Sequence, residues 1–273
     1  AIALKAIFLI LLVNRFASSP GELTERKAEA ERLARQSIRM APNMPIGHGA
    51  LAMIHAGYLR IAPSLAEHKK AFTLAPSEPD AIRSYSSFLS KIGRASEAIR
   101  LAEQAVTLDP LEPFSYSTLA SVLWEARRYA QSVSTLENFK RESPELFSAP
   151  IILGIGLMML GRTEESARAF ADASDVSPFR LVGEAVLAAR ASDRSAAMRK
   201  MERLKALYGD AASYQYAEIH AQLGEVDEAV MHLERAWEIK DAGLLSMLVD
   251  PWLDPLRKDA RFGSLLKKMN FPT

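Results

Sequence analysis

Pro42, Pro76, Pro110, Pro144 and Pro178 each stand 34 residues after the last. The chain has 14 prolines in 273 residues, too few for four further coincidences at one fixed step to be an effect of composition. A repeat of this kind constrains the fold more than any local signal, because each unit must pack on its neighbours. Other columns agree at the same step. Twelve residues before each proline stand Ala30, Ser64, Ala98, Ser132 and Ser166, all small. Five before stand Ser37, Ala71, Ala105, Phe139 and Ala173, and two before stand Met40, Leu74, Leu108, Glu142 and Val176. Leu51, Tyr85, Leu119 and Leu153 form an apolar column, followed directly by Ala52, Ser86, Ala120 and Gly154.

Apolar residues recur at steps of three and four, as in Ala98, Leu101, Ala105 and Leu108, which is helical spacing. Small residues let two helix axes approach closely. Gly93 and Gly161 share a column that reads as the release of a first helix. Proline after a second helix stops it, since it has no N–H to donate and clashes with the preceding turn. The columns therefore predict two antiparallel helices per unit.

These columns resemble the tetratricopeptide repeat, a 34-residue helix–turn–helix. The resemblance rests on Leu153-Gly154, Gly161, Phe170, Ala173 and Pro178 in one unit, and on Gly93, Ala98, Ala105 and Pro110 in another. The family's tryptophan near the start of the unit is absent, its column holding His48, Ile82, Tyr116 and Pro150. The resemblance implies an all-α, right-handed superhelical α-solenoid of about seven helix pairs. The units are expected at about 1–44, 45–78, 79–112, 113–146, 147–178, 179–209 and 210–241, with a capping segment over 242–273. The sixth is shortened: helices are expected around Leu181–Ala191 and Ser195–Tyr208, with Gly209 as the stop.

At 49% hydrophobic and 25% charged, the chain can bury a sizeable core. A net charge of +1 offers no strong field for nucleic acid or an anionic membrane. The absence of cysteine excludes disulfides, thiol catalysis and cysteine metal sites, and a reducing, cytoplasmic setting is expected. A periplasmic one is the alternative if a membrane span precedes. The chain starts at Ala1 and is expected to be part of something longer. Residues 1–15 read as the first helix of a divergent repeat. Their uncharged run, Ala6 to Asn14, is far shorter than the roughly 20 residues a bilayer demands, although a signal-peptide core is similar in length. The linker FASSPGE and a charged helix from Glu22 to Met40 follow.

In the closing segment, Asp250-Pro251 and Asp254-Pro255 each read as an aspartate cap before a first-turn proline. A stack has an exposed apolar end that a polar-faced cap makes soluble, and Trp252, Leu256, Phe262 and Leu265 are expected to face the last repeat. The segment also resembles the tail behind tetratricopeptide repeats in bacterial adenylate-cyclase and winged-helix regulators, implying a regulatory region of a larger signalling or transcription-regulatory protein.

Catalytic signals are weak. Gly154-Ile-Gly156 with Gly161 falls inside a predicted helix rather than after a strand, so it reads as packing, not a nucleotide loop. His48 and His55 are two turns apart, about 10.5 Å, too far to share one metal, and His68 also falls in a packing column. His220 and His232, with Glu218, Asp227 and Glu228 nearby, form a weaker metal candidate. No HExxH, Gly-x-Ser-x-Gly or P-loop occurs. The chain is therefore read as no enzyme, with no catalytic residue, metal or cofactor.

The working surface is expected on the inner wall, lined by the first helix of each unit. The candidates are Met53; Arg83, Ser87 and Lys91; Ser117, Ser121 and Trp124; Ile151, Ile155 and Met158; and Tyr214 and Glu218. A positive face, a hydroxyl-and-indole face and an apolar methionine patch suit an extended peptide or helix with an acidic end and an apolar end. The resemblance implies a protein or peptide partner, with no direct nucleic acid, no membrane and a possible homo-oligomer. The family's clamp of lysines and asparagines for a C-terminal carboxylate is not present in that arrangement. Two alternatives are a small-molecule sensor at the apolar patch around Met158 and a metal-dependent hydrolase using the histidines.

Overall fold

The computed structural model describes residues 1–16 and 20–272, with side chains outside residues 12–24. Its helices run in pairs. They are α1 (Ile2–Phe16) with α2 (Pro20–Met40), α3 (Pro45–Gly57) with α4 (Ile61–Leu74), and α5 (Pro79–Lys91) with α6 (Ala95–Leu108). Then come α7 (Pro113–Glu125) with α8 (Tyr129–Glu142), α9 (Pro150–Met159) with α10 (Thr163–Ala171), α11 (Pro178–Arg190) with α12 (Arg194–Tyr208), and α13 (Ser213–Gln222) with α14 (Val226–Ile239). Each second helix also packs on the next first helix, so the spine runs unbroken through Pro110 and Pro144. The described residues contain no strand, and the fold is an α-solenoid. The expected linker FASSPGE falls partly outside the described residues. Its last residues, Pro20 to Glu22, already belong to α2.

The small-residue columns are where paired helices touch. Ala30, Ser64, Ala98, Ser132 and Ser166 are all fully buried. The serines do more than make room. Ser64 donates to the carbonyl of Ala52 at 2.9 Å, Ser132 to Ala120 at 2.7 Å and Ser166 to Gly154 at 2.7 Å. In the third pair the roles exchange, and Ser86 of α5 donates to the carbonyl of Ala98 on α6 at 2.7 Å. One hydroxyl per crossing ties two helices at closest approach, each bond contributing about 1 kcal/mol. The turn column is equally regular. Leu59, Gly93, Arg127, Gly161, Ser192 and Gly224 all adopt positive φ, between 58° and 84°. Glycine fits there without strain, and Leu59, Arg127 and Ser192 take it at a steric cost.

The proline ladder has two structural meanings. Pro42, Pro76 and Pro110 follow the ends of α2, α4 and α6. Pro178 does not stop a second helix, as its column predicts: α10 ends at Ala171, and Pro178 opens α11 as its first residue. A second ladder at the same step, Pro45, Pro79 and Pro113, opens α3, α5 and α7, where a missing N–H costs nothing. In the fifth pair, Pro144 enters a 3₁₀ turn (Pro144–Leu146) and α9 waits for Pro150, which leaves α9 short; α10 starts in register at Thr163 but ends early, at Ala171.

Gly154 and Gly156 sit at packing positions. A Cβ on Gly154 would lie 2.7 Å from the Phe170 ring, one on Gly183 would lie 2.6 Å from it, and one on Gly156 would lie 2.8 Å from Val133. Phe170, fully buried, is thus wedged between two glycines of α9 and α11. We expect Gly183→Ala to destabilise the protein by about 1–3 kcal/mol through overpacking, measured by urea denaturation. Phe170→Leu in the same chain is expected to recover part of that loss. Simple additivity of the two substitutions would show that ring and glycine are not coupled.

The closing segment departs from expectation. It comprises two 3₁₀ turns, Ala242–Ser246 and Pro251–Leu256, and α15 (Ala260–Met269). Asp250 caps the second turn by accepting from the N–H of Trp252 at 2.8 Å, with Pro251 in the first position. Asp254-Pro255 opens no helix, because both residues lie inside that same turn. Asp259 is the cap of α15. Trp252, Leu256, Phe262 and Leu265 are all buried, yet the segment does not simply cover the last pair. One hydrophobic core joins Ile82 of α5 and Leu119 of α7 to Leu233 of α14 through Leu244, Met247 and Leu253. The tail lies back against the early units because the solenoid's inner wall offers it more apolar surface than one helix pair.

The inner trough as the candidate functional site

The tail seats itself on the C-terminal ends of the first helices and on the turns that follow. The ε-ammonium of Lys91 donates to Ser246 at 2.9 Å and to Glu125 at 3.1 Å. Leu248 packs beside Gly93. The indoles of Trp124 and Trp252 meet edge to face, their centroids 5.9 Å apart. Arg127 grips Asp254 through both carboxylate oxygens, at 2.6 and 2.7 Å. Gln222 donates to the carbonyl of Trp252 at 2.6 Å. At the start of the tail, buried Lys27 of α2 donates to the carbonyl of Gly57 at 2.9 Å and to that of Lys240 at 3.4 Å. The tail therefore straps the last pair to the first four.

Beneath the strap lies a buried acidic cluster. Tyr214 donates its hydroxyl to Asp250 at 2.8 Å, and its backbone N–H reaches Asp241 at 3.1 Å. Gly243 presses on the Tyr214 ring, 2.6 Å from where its own Cβ would stand. Glu218 shares the pocket and hydrogen-bonds Asp250. Burial first, and the Asp250 charge second, push the Glu218 carboxyl well above the usual carboxylate range. Burial also raises Asp250 and Asp241. A carboxyl that stays protonated next to an ionised one is a hydrogen-bond donor, and that satisfies the pair without a cation.

The candidate residues divide accordingly. Lys91, Trp124, Tyr214 and Glu218 face the chain's own tail. Met158 is buried in the core that also holds Trp252. Met53 packs with α1 and α2. Arg83, Ser87, Ser117, Ser121, Ile151 and Ile155 are half-buried along the rest of the wall. Ser117 and Ser121 turn their hydroxyls back to their own helix, onto the carbonyls of Pro113 and Ser117. Arg83 reaches Ser115 at 3.3 Å and pairs with Asp80.

The tail's partners Lys27, Asp241, Asp250 and Arg127 are not among the residues the sequence singles out as site candidates. Lys27 carries one signal, since it falls on the apolar face of α2 with Ala30 and Ala34. Nothing local marks Asp250 as more than a cap.

Four of the five histidines have structural partners, while the buried Nδ1 of His55 has no hydrogen-bond partner among the described residues. His48 lies 2.7 Å from Glu67 and 2.9 Å from the carbonyl of Pro42. Burial drives His68 down to about 3, and its ring packs 4.8 Å from Phe88. His220 and His232 stack at 5.3 Å, with Glu225 2.6 Å from His220. Burial, and then the His220 charge, lower His232 to about 4. Among the described residues no group of three or more histidine and carboxylate side chains is placed to hold a metal ion.

No protein-family model and no curated protein matches this chain. Solved structures do. A tetratricopeptide repeat protein from Parabacteroides merdae is 15% identical with a TM-score of 0.57, over 90% of this chain and 99% of that one. The type IV pilus biogenesis factor PilW is 14% identical with a TM-score of 0.55, over 75% and 93%. A chain of the APC/C hetero-tetramer Cut9–Hcn1 is 15% identical with a TM-score of 0.60, over 98% of this chain and 55% of that one. At these identities the likeness is one of fold: the protein is a tetratricopeptide-type solenoid. Among the described residues no helix is long and apolar enough to cross a membrane.

Proposed function

We propose that the chain is a non-catalytic protein-interaction scaffold, the regulatory or interaction region of a larger bacterial signalling or transcription-regulatory protein. Its partner is a peptide or helix laid along the part of the trough that the tail leaves open. The observation that carries this reading is the division of the inner wall. The tail takes the C-terminal ends of the first helices, while Arg83, Ser87, Ser117, Ser121, Ile151 and Ile155 stand beside it half-buried. The tail is not a plug for a partner to evict. Nine of its apolar side chains are buried, from Leu244 to Met269. They belong to cores shared with α5, α7, α11 and α13, so lifting the tail would expose several units at once. A partner meets the trough with the tail in place, with Arg83 at an acid-selective end and Ile151 and Ile155 at an apolar end.

The test is a display library of extended peptides panned on the whole chain. Selected peptides are expected to carry a carboxylate and an apolar residue, and to lose about tenfold in affinity on Arg83→Glu combined with Ile155→Glu. Peptides that bind both chains equally would overturn the reading.

A second reading, small-molecule sensing beside Met158, has one observation in its favour. The buried indole N–H groups of Trp124 and Trp252 have no acceptor among the described residues. A ligand carbonyl would satisfy them. A ligand-dependent thermal shift abolished by Trp252→Phe, with no peptide selected, would favour it.

A further inference from the structure

Over the second to fifth pairs, the near-zero net charge hides an acidic edge and an arginine-bearing edge. The four loops that join the second pair through to the sixth, residues 74–80, 108–114, 142–150 and 172–178, contain eight aspartates and glutamates and no lysine or arginine. The turns inside the second to fifth pairs, on the opposite edge, carry arginine at one repeating position, Arg60, Arg94, Arg128 and Arg162, while the sixth and seventh pairs hold Asp193 and Glu225 there. Three of these hold a carboxylate of the chain itself: Arg60 holds Glu31, Arg94 holds Glu97, and Arg162 holds Glu137 and Glu165. Arg128 holds none among the described residues, because the position three later is Gln131.

Arg128 borders an open pocket of about 320 Å³ with Tyr129, Gln131 and Leu160, and Leu160 is 41% exposed. At the other end of the same helix pair, the loop before α7 holds out Leu111 at 66% exposure and Phe114 at 62%. Asp109 and Glu112 flank them. Side chains this large and this exposed, beside acidic groups, form a knob. An apolar-floored pocket with an unpaired guanidinium forms a matching socket.

We propose that two copies of this chain associate head to tail. The Leu111–Phe114 loop of one seats in the Arg128–Leu160 pocket of the next, and Glu112 faces Arg128. Because knob and socket lie at opposite ends of α7, the contact is heterologous. It leaves a free knob and a free socket on every dimer, so it extends into a ring or an open series.

Sedimentation of the purified chain at low and high salt tests this. Association that grows with concentration and weakens with salt is expected, and a monomer at all concentrations overturns the proposal. Two variants then decide the geometry. A knob variant, Leu111→Ser with Phe114→Ser, and a socket variant, Arg128→Glu with Leu160→Glu, change only exposed side chains. Circular dichroism and thermal melting check that each folds. Each alone is expected to self-associate about tenfold more weakly or worse. Mixed together they are expected to form a 1:1 dimer that does not extend, since the knob variant keeps its socket and the socket variant keeps its knob. Failure of the mixture to associate overturns the proposal. So does a socket variant that still self-associates like the parent, which would mark a symmetric knob-to-knob contact.

Discussion

Trp252→Ala is expected to destabilise the protein by about 3–5 kcal/mol, the cost of removing a large aromatic side chain from a packed core. Trp252 lies beyond the last helix pair, where a loose C-terminal tail would tolerate almost any change. Here it is 2% exposed and packs edge to face on Trp124 of α7. The same core holds Phe170, Leu181 and Ile219 from three further pairs. Truncation therefore opens a cavity shared by several units. Urea denaturation measures the loss, and hydrogen exchange is expected to rise at the C-terminal end of α7 as well as in the tail. A loss under about 1 kcal/mol, within the range of ordinary surface substitutions, would show that the tail merely rests on the wall.

Glu218→Gln is expected to stabilise the protein increasingly as pH rises. The group's folded pKa lies above its unfolded value, so its contribution is complete below the unfolded pKa and disappears as pH climbs through the folded one. Ionising Glu218 brings a second negative charge against Asp250. Tyr214, Asp241 and Glu125 are also near, and the Lys91 ammonium opposes them by favouring the ionised form. Glutamine keeps an N–H donor for Asp250 and has no proton to lose. His55, His68 and His232 work in the opposite direction. Their folded values are depressed, so their contribution is present above the unfolded value and fades as pH falls. These histidines are common to both chains and cancel in the difference. Denaturation midpoints of the two proteins from about pH 5 to about pH 9 are expected to diverge upward for the variant. A gap that stays constant with pH would mean that Glu218 is already ionised in the native state.

The stack itself was legible because a repeat writes its packing rule many times. The column of Ala30, Ser64, Ala98, Ser132 and Ser166 states that something must come close there, and the buried crossings show what does. The glycines at 154 and 156 declare themselves as packing positions for the same reason, and a Cβ on either would collide with Phe170 or Val133. Pro178 shows the limit of that logic. Proline is tolerated just after a helix and at the first residue of one, and the ladder alone does not say which. The second ladder at Pro45, Pro79 and Pro113 carried the missing distinction.

The trough was legible only as a row of first-helix positions. Which of them face a neighbour was decided by a segment outside the repeat register. Lys91 and Ser246 are 155 residues apart, and Arg127 and Asp254 are 127 apart. No periodicity links such positions. The edge charges follow the same rule, since a net charge of +1 is silent about how its members are sorted in space.

The sequence alone determined paired helices at a 34-residue step and their stacking, because burial of each pair's apolar face is a local, repeated demand. Tertiary structure alone decided where the tail lies, that Glu218 and Asp250 share a buried pocket, and that acidic residues and arginines part to opposite edges over the second to fifth pairs. Those outcomes depend on the curvature of the whole stack, which brings the last pair back within reach of the first.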